Sequence, residues 1–167
     1  MSENSQLVVR PATSADEPYL LTMMRELVEQ EPNPGVFQEA LVGKTLRFLL
    51  VHPERGRVWM LVFGEKPIGY IVLTLGFSFE FHGTDAFIDE LYVAPEFRRR
   101  GFGMRAVERL ESEAKKLGVN AMHLEVDKGN NPAFELYRRA GFEDHNRFLM
   151  TKWLRDPRQV TSASRGL

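Results

Sequence analysis

Apolar residues recur at helical spacing in four parts of the chain. The first part ends at the turn-forming stretch EPNPG, and the second runs roughly from Val36 to Val51. The third follows the sequence RRRGFG and ends at Gly118, which is suited to cap a helix. The fourth ends at Gly141, with Asn131 as its expected N-cap and Pro132 at its first helical position. Four helices are therefore predicted.

Shorter apolar or alternating runs predict six β-strands. Two of them flank the turn sequence GEKP and form a hairpin, and Pro95 ends the next one because proline has no N–H for a ladder. The order of strands and helices predicts a mixed α/β fold, with a single domain over residues 1–154 and a polar tail at 155–167. The six runs are LVVRPAT, RVWMLVF, IGYIVLTLGF, DAFIDELYVAP, AMHLEV and NRFLMTKWL.

Composition and charge argue against several classes of function. The chain has 167 residues, 43% of them hydrophobic and 27% charged, which is ordinary for one globular domain. Its formal net charge of -1 argues against nucleic acid or anionic lipid as a partner. Without cysteine the chain has no disulfide, thiolate nucleophile or cysteine-based metal site. No signal peptide or membrane-spanning apolar run is recognisable, so we expect a cytoplasmic protein that binds no membrane.

The stretch EFRRRGFG places three arginines and two glycines at the entrance of the third predicted helix. Free N–H groups and the helix dipole attract anions there, glycine lets a ligand approach the backbone, and arginine donates bidentately to phosphate. The stretch therefore has two interpretations, a phosphate site and a solvated charge run at a helix start, and it does not decide between them. GFGMRA also fits the dinucleotide fingerprint, but PEFRRR separates it from the preceding strand and too little chain follows for a dinucleotide domain. No G-K-[ST] of a P-loop is present.

Two motifs, in this order, resemble the signatures of the GNAT superfamily of N-acetyltransferases. LYVAPEFRRRGFG resembles its acyl-CoA motif, with Arg98, Gly101 and Gly103 at the defining positions. NNPAFELYRRAGF is similar to the second signature, which has an Asn, an Ala three residues later, a Leu-Tyr pair and a Gly-Phe ending. The resemblance covers about residues 7–154 and implies the GNAT fold. That fold is a central mixed, mostly antiparallel sheet with helices on both faces.

The resemblance implies that acetyl-CoA is the acetyl donor. Backbone groups near Leu91 and Val93 would pair with its pantetheine arm, and the amides of residues 99–104 would hold its pyrophosphate. Asn130 would also meet the pantetheine, and Tyr137 would lie beside the thioester sulfur. The predicted cofactor-binding residues are Leu91, Tyr92, Val93, Arg98, Arg99, Arg100, Gly101, Phe102, Gly103, Met104, Asn130 and Tyr137.

Two adjacent acids are the candidate bases for an amine acceptor, which is mostly protonated at neutral pH. Asp89 and Glu90 lie on the strand that leads to the arginine-rich loop, and alternation sends them to opposite faces. Asp89 shares parity with Leu91 and Val93, and in the diamine acetyltransferases that the chain resembles an acid at this place faces the substrate. We therefore favour Asp89 over Glu90, unless a bulge reverses the parity. The alternative is that these carboxylates are solvated or paired with arginine.

The remaining catalytic roles follow from the same resemblance. Tyr137 is the candidate proton donor to the departing thiolate, with a plain core tyrosine as the alternative. The N–H of Val93 is the candidate donor to the oxyanion. His82 and His123 are not favoured as bases, because one lies in a predicted turn and the other on a sheet face. No histidine–carboxylate spacing suggests a metal, and the lack of cysteine predicts direct attack of the amine on the thioester.

The acceptor is predicted from a group of acids around the expected acceptor side. Glu80, Asp85, Asp89 and Glu90 favour a small cationic amine such as a polyamine or a related diamine. A protein N-terminus or a lysine is the alternative acceptor, and a non-catalytic acyl-CoA sensor is the alternative class of protein. An RNA-binding module is disfavoured because the arginines lack interleaved aromatic residues and a broad basic face. A homodimer is one hypothesis for the assembly.

Overall fold

The computed structural model describes residues 6–31 and 35–155 of the chain. It contains five strands, four α-helices and two short 3-10 turns in the described ranges. In chain order these are β1 (Leu7–Pro11), a 3-10 turn (Ser14–Asp16), α1 (Glu17–Glu29), α2 (Glu39–Val51), β2 (Gly56–Phe63), β3 (Lys66–Ser78), β4 (Gly83–Val93), a second 3-10 turn (Pro95–Phe97), α3 (Phe102–Lys116), β5 (Ala121–Leu124) and α4 (Asn131–Arg139).

The five strands form one sheet in the order β1-β2-β3-β4-β5. Neighbours from β1 to β4 are antiparallel, and β5 is parallel to β4, as expected for two strands joined through a helix. Helices α1 and α2 cover one face through a cluster that includes Leu20, Met60 and Tyr70. Helices α3 and α4 cover the other face around Trp59 and Leu110. The predicted mixed, mostly antiparallel sheet with helices on both faces is confirmed.

The predicted strand NRFLMTKWL is wrong, because residues 146–154 form no ladder. Asn146 has a left-handed backbone with φ of 51°, and the guanidinium of Arg147 donates to both carboxylate oxygens of Glu80 at 2.9 and 3.0 Å. The segment is therefore held by side-chain contacts and does not pair with the sheet. Phe148 is consequently 84% exposed, and a groove of about 480 Å³ runs along β5 past Phe142. The predicted polar tail lies outside the described residues except for Arg155.

Two helix starts also differ from the prediction. Helix α2 begins at Glu39 rather than near Val36. Asn130, not Asn131, caps α4, because it has non-helical backbone angles and its side-chain oxygen accepts the N–H of Ala133 at 3.2 Å. The cap therefore uses the oxygen of a side chain that is also a predicted cofactor ligand.

Asp16 is a buried carboxylate that joins β1 to the start of α1. Its oxygens accept two hydrogen bonds from Arg10 at 2.7 and 2.8 Å and one from the N–H of Thr13 at 2.8 Å. The hydrogen bonds from Arg10 are the main cause that lowers the pKa of Asp16 from 3.8 to about 2. A lowered pKa contributes stability above the unfolded-state pKa, and this stability disappears as the pH falls from about 4 to about 2.

Replacing Asp16 with Asn is expected to lower the free energy of unfolding by about 2 kcal/mol at neutral pH. The difference from the parent chain should shrink between pH 4 and pH 2, since both proteins then lack the charge. Urea unfolding at several pH values measures this. Glu111→Gln, which removes an exposed partner of Lys115, is the control and should cost no more than about 0.5 kcal/mol. Equal losses in the two variants would refute the assignment.

Candidate active site

Strands β4 and β5 separate at one end of the sheet and leave part of β4 without a neighbour. Their pairing stops at Ile88 and Leu124, whereas β4 continues to Val93. Ala94 donates its N–H to Ile68 of β3 at 2.8 Å. Because antiparallel residues alternate in the direction of their hydrogen bonds, the N–H and C=O of Val93 face the gap instead. The gap therefore presents backbone groups of the kind that pair with an extended amide-containing ligand.

The loop from Arg98 to Gly101 directs backbone N–H groups outward at the start of α3. Arg99 and Gly101 both have left-handed backbones, with φ of 58° and 79°. In the part of the chain that the structure describes, the six consecutive N–H groups of residues 99–104 have no acceptor, and the next, of Arg105, bonds to Gly101. Unpaired N–H groups at the positive end of a helix dipole form an anion site.

The guanidinium groups of this loop make contacts within the protein. Arg98 donates from Nε to the carbonyl oxygen of Val93 at 2.7 Å and from its terminal nitrogen to Gln30 at 2.5 Å. Arg100 lies over three aromatic rings, with centroid distances of 5.2 to 5.7 Å to Phe63, Phe97 and Phe102. Two of the three arginines therefore stabilise the loop, and backbone N–H groups are the donors that the loop leaves without acceptors. The direct arginine–phosphate contacts expected from the sequence stay a prediction.

Tyr137 lies on the face of α4 that packs against the sheet, as the apolar stripe predicted. Its ring meets Phe142 edge to face at a centroid distance of 5.8 Å, and burial raises its pKa to about 12. No group in the described ranges forms a hydrogen bond with its hydroxyl. Helix α4 approaches α3 closely, since a Cβ on Gly103 would lie 2.8 Å from a methyl group of Leu136. Gly103 thus permits the packing that brings α4 beside the loop.

Asp89 is the extra residue of a β-bulge in β4. Glu90 lies opposite Val72 and Ile88 lies opposite Leu73, which leaves Asp89 without a counterpart on β3. A bulge reverses the alternation of side chains, so the parity argument from the sequence does not hold across this point. The Asp89 side chain is exposed, yet the surrounding protein removes part of its hydration and raises its pKa.

Glu90 points to the face of the sheet covered by α1. Its Oε2 accepts a hydrogen bond from the hydroxyl of Tyr70 at 2.8 Å. Burial is the main cause that raises the pKa of Glu90, the hydrogen bond from Tyr70 lowers it, and the negative charges of Asp89 and Glu31 raise it further. The two adjacent carboxylates therefore have pKa values closer to neutral than ordinary acids.

The acidic group differs in membership from the prediction. Glu80 pairs with Arg147, and a carboxylate oxygen of Asp85 lies 3.7 Å from Nε2 of His123, beyond hydrogen-bond distance. The neighbours of both acids thus lie outside the bulge. Helix α1 supplies Glu26 instead, which accepts a hydrogen bond from Tyr92 at 2.5 Å, and Glu31 follows the helix. Sequence analysis missed these two acids. Their only signal was the polar face of the first predicted helix, which is ordinary for a surface helix.

The two histidines disfavoured as bases remain outside this site. His82 occupies a turn with φ of 57°, and the ring of His123 packs against the tilted ring of Phe81 at a centroid distance of 4.7 Å. Over residues 6–31 and 35–155 no group of three or more His, Asp or Glu side chains is arranged to hold a metal ion. Within the same ranges, every helix is too short or too polar to cross a membrane.

Comparison with known proteins shows which family the chain resembles. Residues 20–142 match the model of the acetyltransferase (GNAT) family. A thialysine N-epsilon-acetyltransferase of Bos taurus is 27% identical over 149 residues, which cover 83% of this chain and 85% of that protein. A ribosomal protein bS18-alanine N-acetyltransferase of Escherichia coli K12 is 31% identical over 86 residues, 48% of this chain and 58% of that protein. An uncharacterised N-acetyltransferase of Methanocaldococcus jannaschii is 31% identical over 96 residues, 57% of this chain and only 42% of that protein.

Solved structures agree with the fold. An integron cassette protein from the metagenome of Cole Harbour Salt Marsh has a TM-score of 0.79 and 34% identity, over 89% of this chain and 91% of that one. An aminoglycoside N-acetyltransferase crystallised with CoA has a TM-score of 0.77 at 13% identity, over 92% and 99% of the two chains. The family match and the named relatives confirm the prediction of an N-acetyltransferase. The chain belongs to the acetyltransferase (GNAT) family.

Proposed function

We propose that this protein transfers the acetyl group of acetyl-CoA to a small cationic amine by direct attack. The observation that carries the proposal is the run of six unpaired N–H groups at residues 99–104, beside the open edge of β4. A diphosphate suits the first feature, and an amide-containing arm suits the second. A cofactor with both parts, such as CoA, fits the two features together.

The residues of the gap have distinct roles toward this donor. The amides of residues 99–104 bind the pyrophosphate, and the backbone of Leu91 pairs with the pantetheine arm. Arg98 already occupies the carbonyl oxygen of Val93, so the N–H of Val93 is the group that remains to stabilise the oxyanion. Asn130 uses its oxygen to cap α4, which leaves its NH₂ group to donate to the pantetheine.

Acetyl transfer to a protonated amine removes two protons from its nitrogen, one before the attack and one from the tetrahedral intermediate, and it needs a stabilised leaving group. Glu90, fixed by Tyr70, holds the ammonium group of the acceptor. Asp89 takes the first proton, and its raised pKa and its exposure suit a base that returns the proton to water. The neutral amine nitrogen attacks the thioester carbonyl and gives its second proton to water. The C–S bond then breaks, and the sulfur leaves as a thiolate to which Tyr137 donates a hydrogen bond.

The charge of the acceptor side supports a cationic amine. Asp89 and Glu90 lie on β4, Glu26 lies on α1, and Glu31, which follows α1, acts on Glu90 through its charge. We place the acceptor among these acids because negative charge attracts and orients a polyamine or diamine. The bovine relative is named for an amino-acid side-chain amine, which agrees with a small acceptor. The Escherichia coli relative is named for a protein N-terminal alanine, and its similarity keeps a peptide N-terminus as the second candidate.

A thiol-release assay with acetyl-CoA tests this proposal directly. The acceptors are diamines and polyamines of different length, lysine and its thioether analogue, and peptides with an N-terminal alanine or an internal lysine. We expect the highest kcat/KM for an acceptor with a second cationic group. Preference for peptides would replace the small acceptor with a protein. Binding of acetyl-CoA without release of thiol for any amine would indicate an acyl-CoA sensor.

Replacing Gly101 with Ala is expected to weaken acetyl-CoA binding at least tenfold. A Cβ at Gly101 meets no atom within 4 Å, so the effect comes only from its φ of 79°. An L-residue there costs about 1–2 kcal/mol and shifts the loop away from the geometry that directs its N–H groups outward. Titration calorimetry with acetyl-CoA measures the change.

Gly118→Ala is a matched control for this prediction. Gly118 ends the same helix with φ of 72°, and a Cβ there also meets no atom within 4 Å. Both variants should lose similar stability, but only Gly101→Ala should lose affinity. Unchanged affinity in Gly101→Ala, or an equal loss in Gly118→Ala, would remove the loop from the cofactor site.

A further inference from the structure

Tyr70 and Tyr92 form a pair of buried tyrosines beneath the acceptor side. Their rings stack at a centroid distance of 6.0 Å, and their side chains are 0% and 1% exposed. Each hydroxyl donates to one carboxylate: Tyr70 to Glu90 on β4 at 2.8 Å and Tyr92 to Glu26 on α1 at 2.5 Å. Glu90 and Glu26 therefore each accept a hydrogen bond from a tyrosine that is buried in the core between the sheet and α1.

We propose that Tyr70 is a positioning residue that fixes the carboxylate of Glu90 for the acceptor amine and keeps it ionised. The inference rests on the function proposed above. One oxygen of Glu90 is occupied by the buried hydroxyl, so the other is the one available to the acceptor. A buried donor with a single partner restricts the rotamers of Glu90, and a hydrogen bond to the charged form of an acid favours that form.

Tyr70 is a permanent donor in this arrangement. Burial, with the adjacent charge of Glu90, raises the pKa of Tyr70 far above its usual range, so its hydroxyl keeps the proton at any physiological pH. The titratable groups that act on Glu90 are Tyr70 on β3, Asp89 on β4 and Glu31 beyond α1. The two acids both oppose ionisation of Glu90. Tyr70 is the group among them that favours it.

Tyr70→Phe tests this role because it keeps the ring and removes only the hydroxyl. The pKa of Glu90 should then rise, and the acidic limb of kcat/KM should move upward by about one pH unit. KM for the acceptor should rise about tenfold at neutral pH, whereas the affinity for acetyl-CoA should stay within threefold. If the acidic limb of kcat/KM does not move and the KM for the acceptor is unchanged, the proposal is overturned.

Tyr92→Phe is the matched control, since it removes the hydroxyl of the other tyrosine of the same pair. It should leave the acidic limb in place, because Tyr92 donates to Glu26 and not to Glu90. An equal shift in both variants would assign the effect to the general packing of this cluster and overturn the role of Tyr70. A 3-fluorotyrosine at position 70, a stronger donor of similar size, should move the limb downward even if the phenylalanine variant does not fold.

An NMR titration of the side-chain carboxyl carbons of Asp89 and Glu90 separates this inference from the proposed function. It needs no acceptor and reports the two acids individually, although they titrate as a coupled pair. An increase in the pKa of Glu90 in Tyr70→Phe supports the inference even if no amine is acetylated. An unchanged pKa in an active enzyme would refute the inference and leave the acetyltransferase proposal intact.

Discussion

Asp89→Asn should lower kcat/KM for acetyl transfer about 10²- to 10³-fold at neutral pH. The acceptor amine has an ordinary pKa of about 10.4, so almost every molecule that binds is protonated and needs a base. General bases contribute about 10²- to 10⁴-fold, and Asp89 lies at the bulge where its pKa is raised and solvent is within reach. The variant keeps the size of the side chain and removes its ability to accept a proton.

The pH dependence distinguishes this role from a structural one. As the pH approaches the pKa of the free amine, more of the acceptor is neutral when it binds. The loss of kcat/KM in Asp89→Asn should then shrink. Steady-state kinetics from pH 6 to pH 10 measures both the deficit and its recovery. Asp85→Asn is the control, because it makes the same substitution on the same strand beside His123. A constant deficit at every pH, or an equal loss in Asp85→Asn, would exclude Asp89 as the base.

The fold could be predicted because its pattern is local. In most helices and strands the apolar residues recur with the period of that element, and a glycine or proline marks its end. The sequence therefore predicted α1, β4 and α3. The prediction of a strand at residues 146–154 was wrong because strand formation also depends on distant parts of the chain. An apolar run predicts a strand only if a neighbouring edge pairs with it, and here Arg147 binds Glu80 while the turn at Asn146 redirects the chain. Ion pairs between distant residues leave no periodic signal.

The site could be predicted in outline but not in detail. The spacing of the loop glycines and of Tyr137 is a property of the motifs, and in the structure the loop contacts the end of β4 while α4 packs against α3. The bulge at Asp89 depends on how two strands align, and the tyrosine donor of Glu90 comes from β3, 20 residues away. The use of Arg98 and Arg100 within the protein also follows from tertiary packing. A sequence shows the positions of the arginines but not the groups that they contact in the folded protein.

Tyr137 was expected to protonate the departing thiolate, and its surroundings modify that expectation. Burial raises its pKa to about 12, whereas a thiol has a pKa of about 8.5. Complete transfer of the proton would therefore be uphill by about 5 kcal/mol. A hydrogen bond from the neutral hydroxyl to the developing thiolate has no such cost, and it stabilises charge that appears only in the transition state. We propose that Tyr137 donates a hydrogen bond and that water supplies the proton.

Tyr137→Phe is accordingly expected to lower kcat about 10- to 100-fold while the affinity for acetyl-CoA stays within a few-fold. Its hydroxyl has no partner within the described ranges, so its removal leaves no buried group unpaired and should cost little stability. Rapid-mixing kinetics with acetyl-CoA and a saturating amine measures the chemical step, and thermal melting checks the fold. Tyr19→Phe, which removes a 55% exposed hydroxyl on α1, is the control and should change neither value. Since the hydroxyl stays protonated below about pH 11, the deficit of Tyr137→Phe should be constant from pH 6 to pH 10. A deficit that varies across this range would assign proton transfer to Tyr137, and turnover at the parent rate would leave it only a packing role in the core.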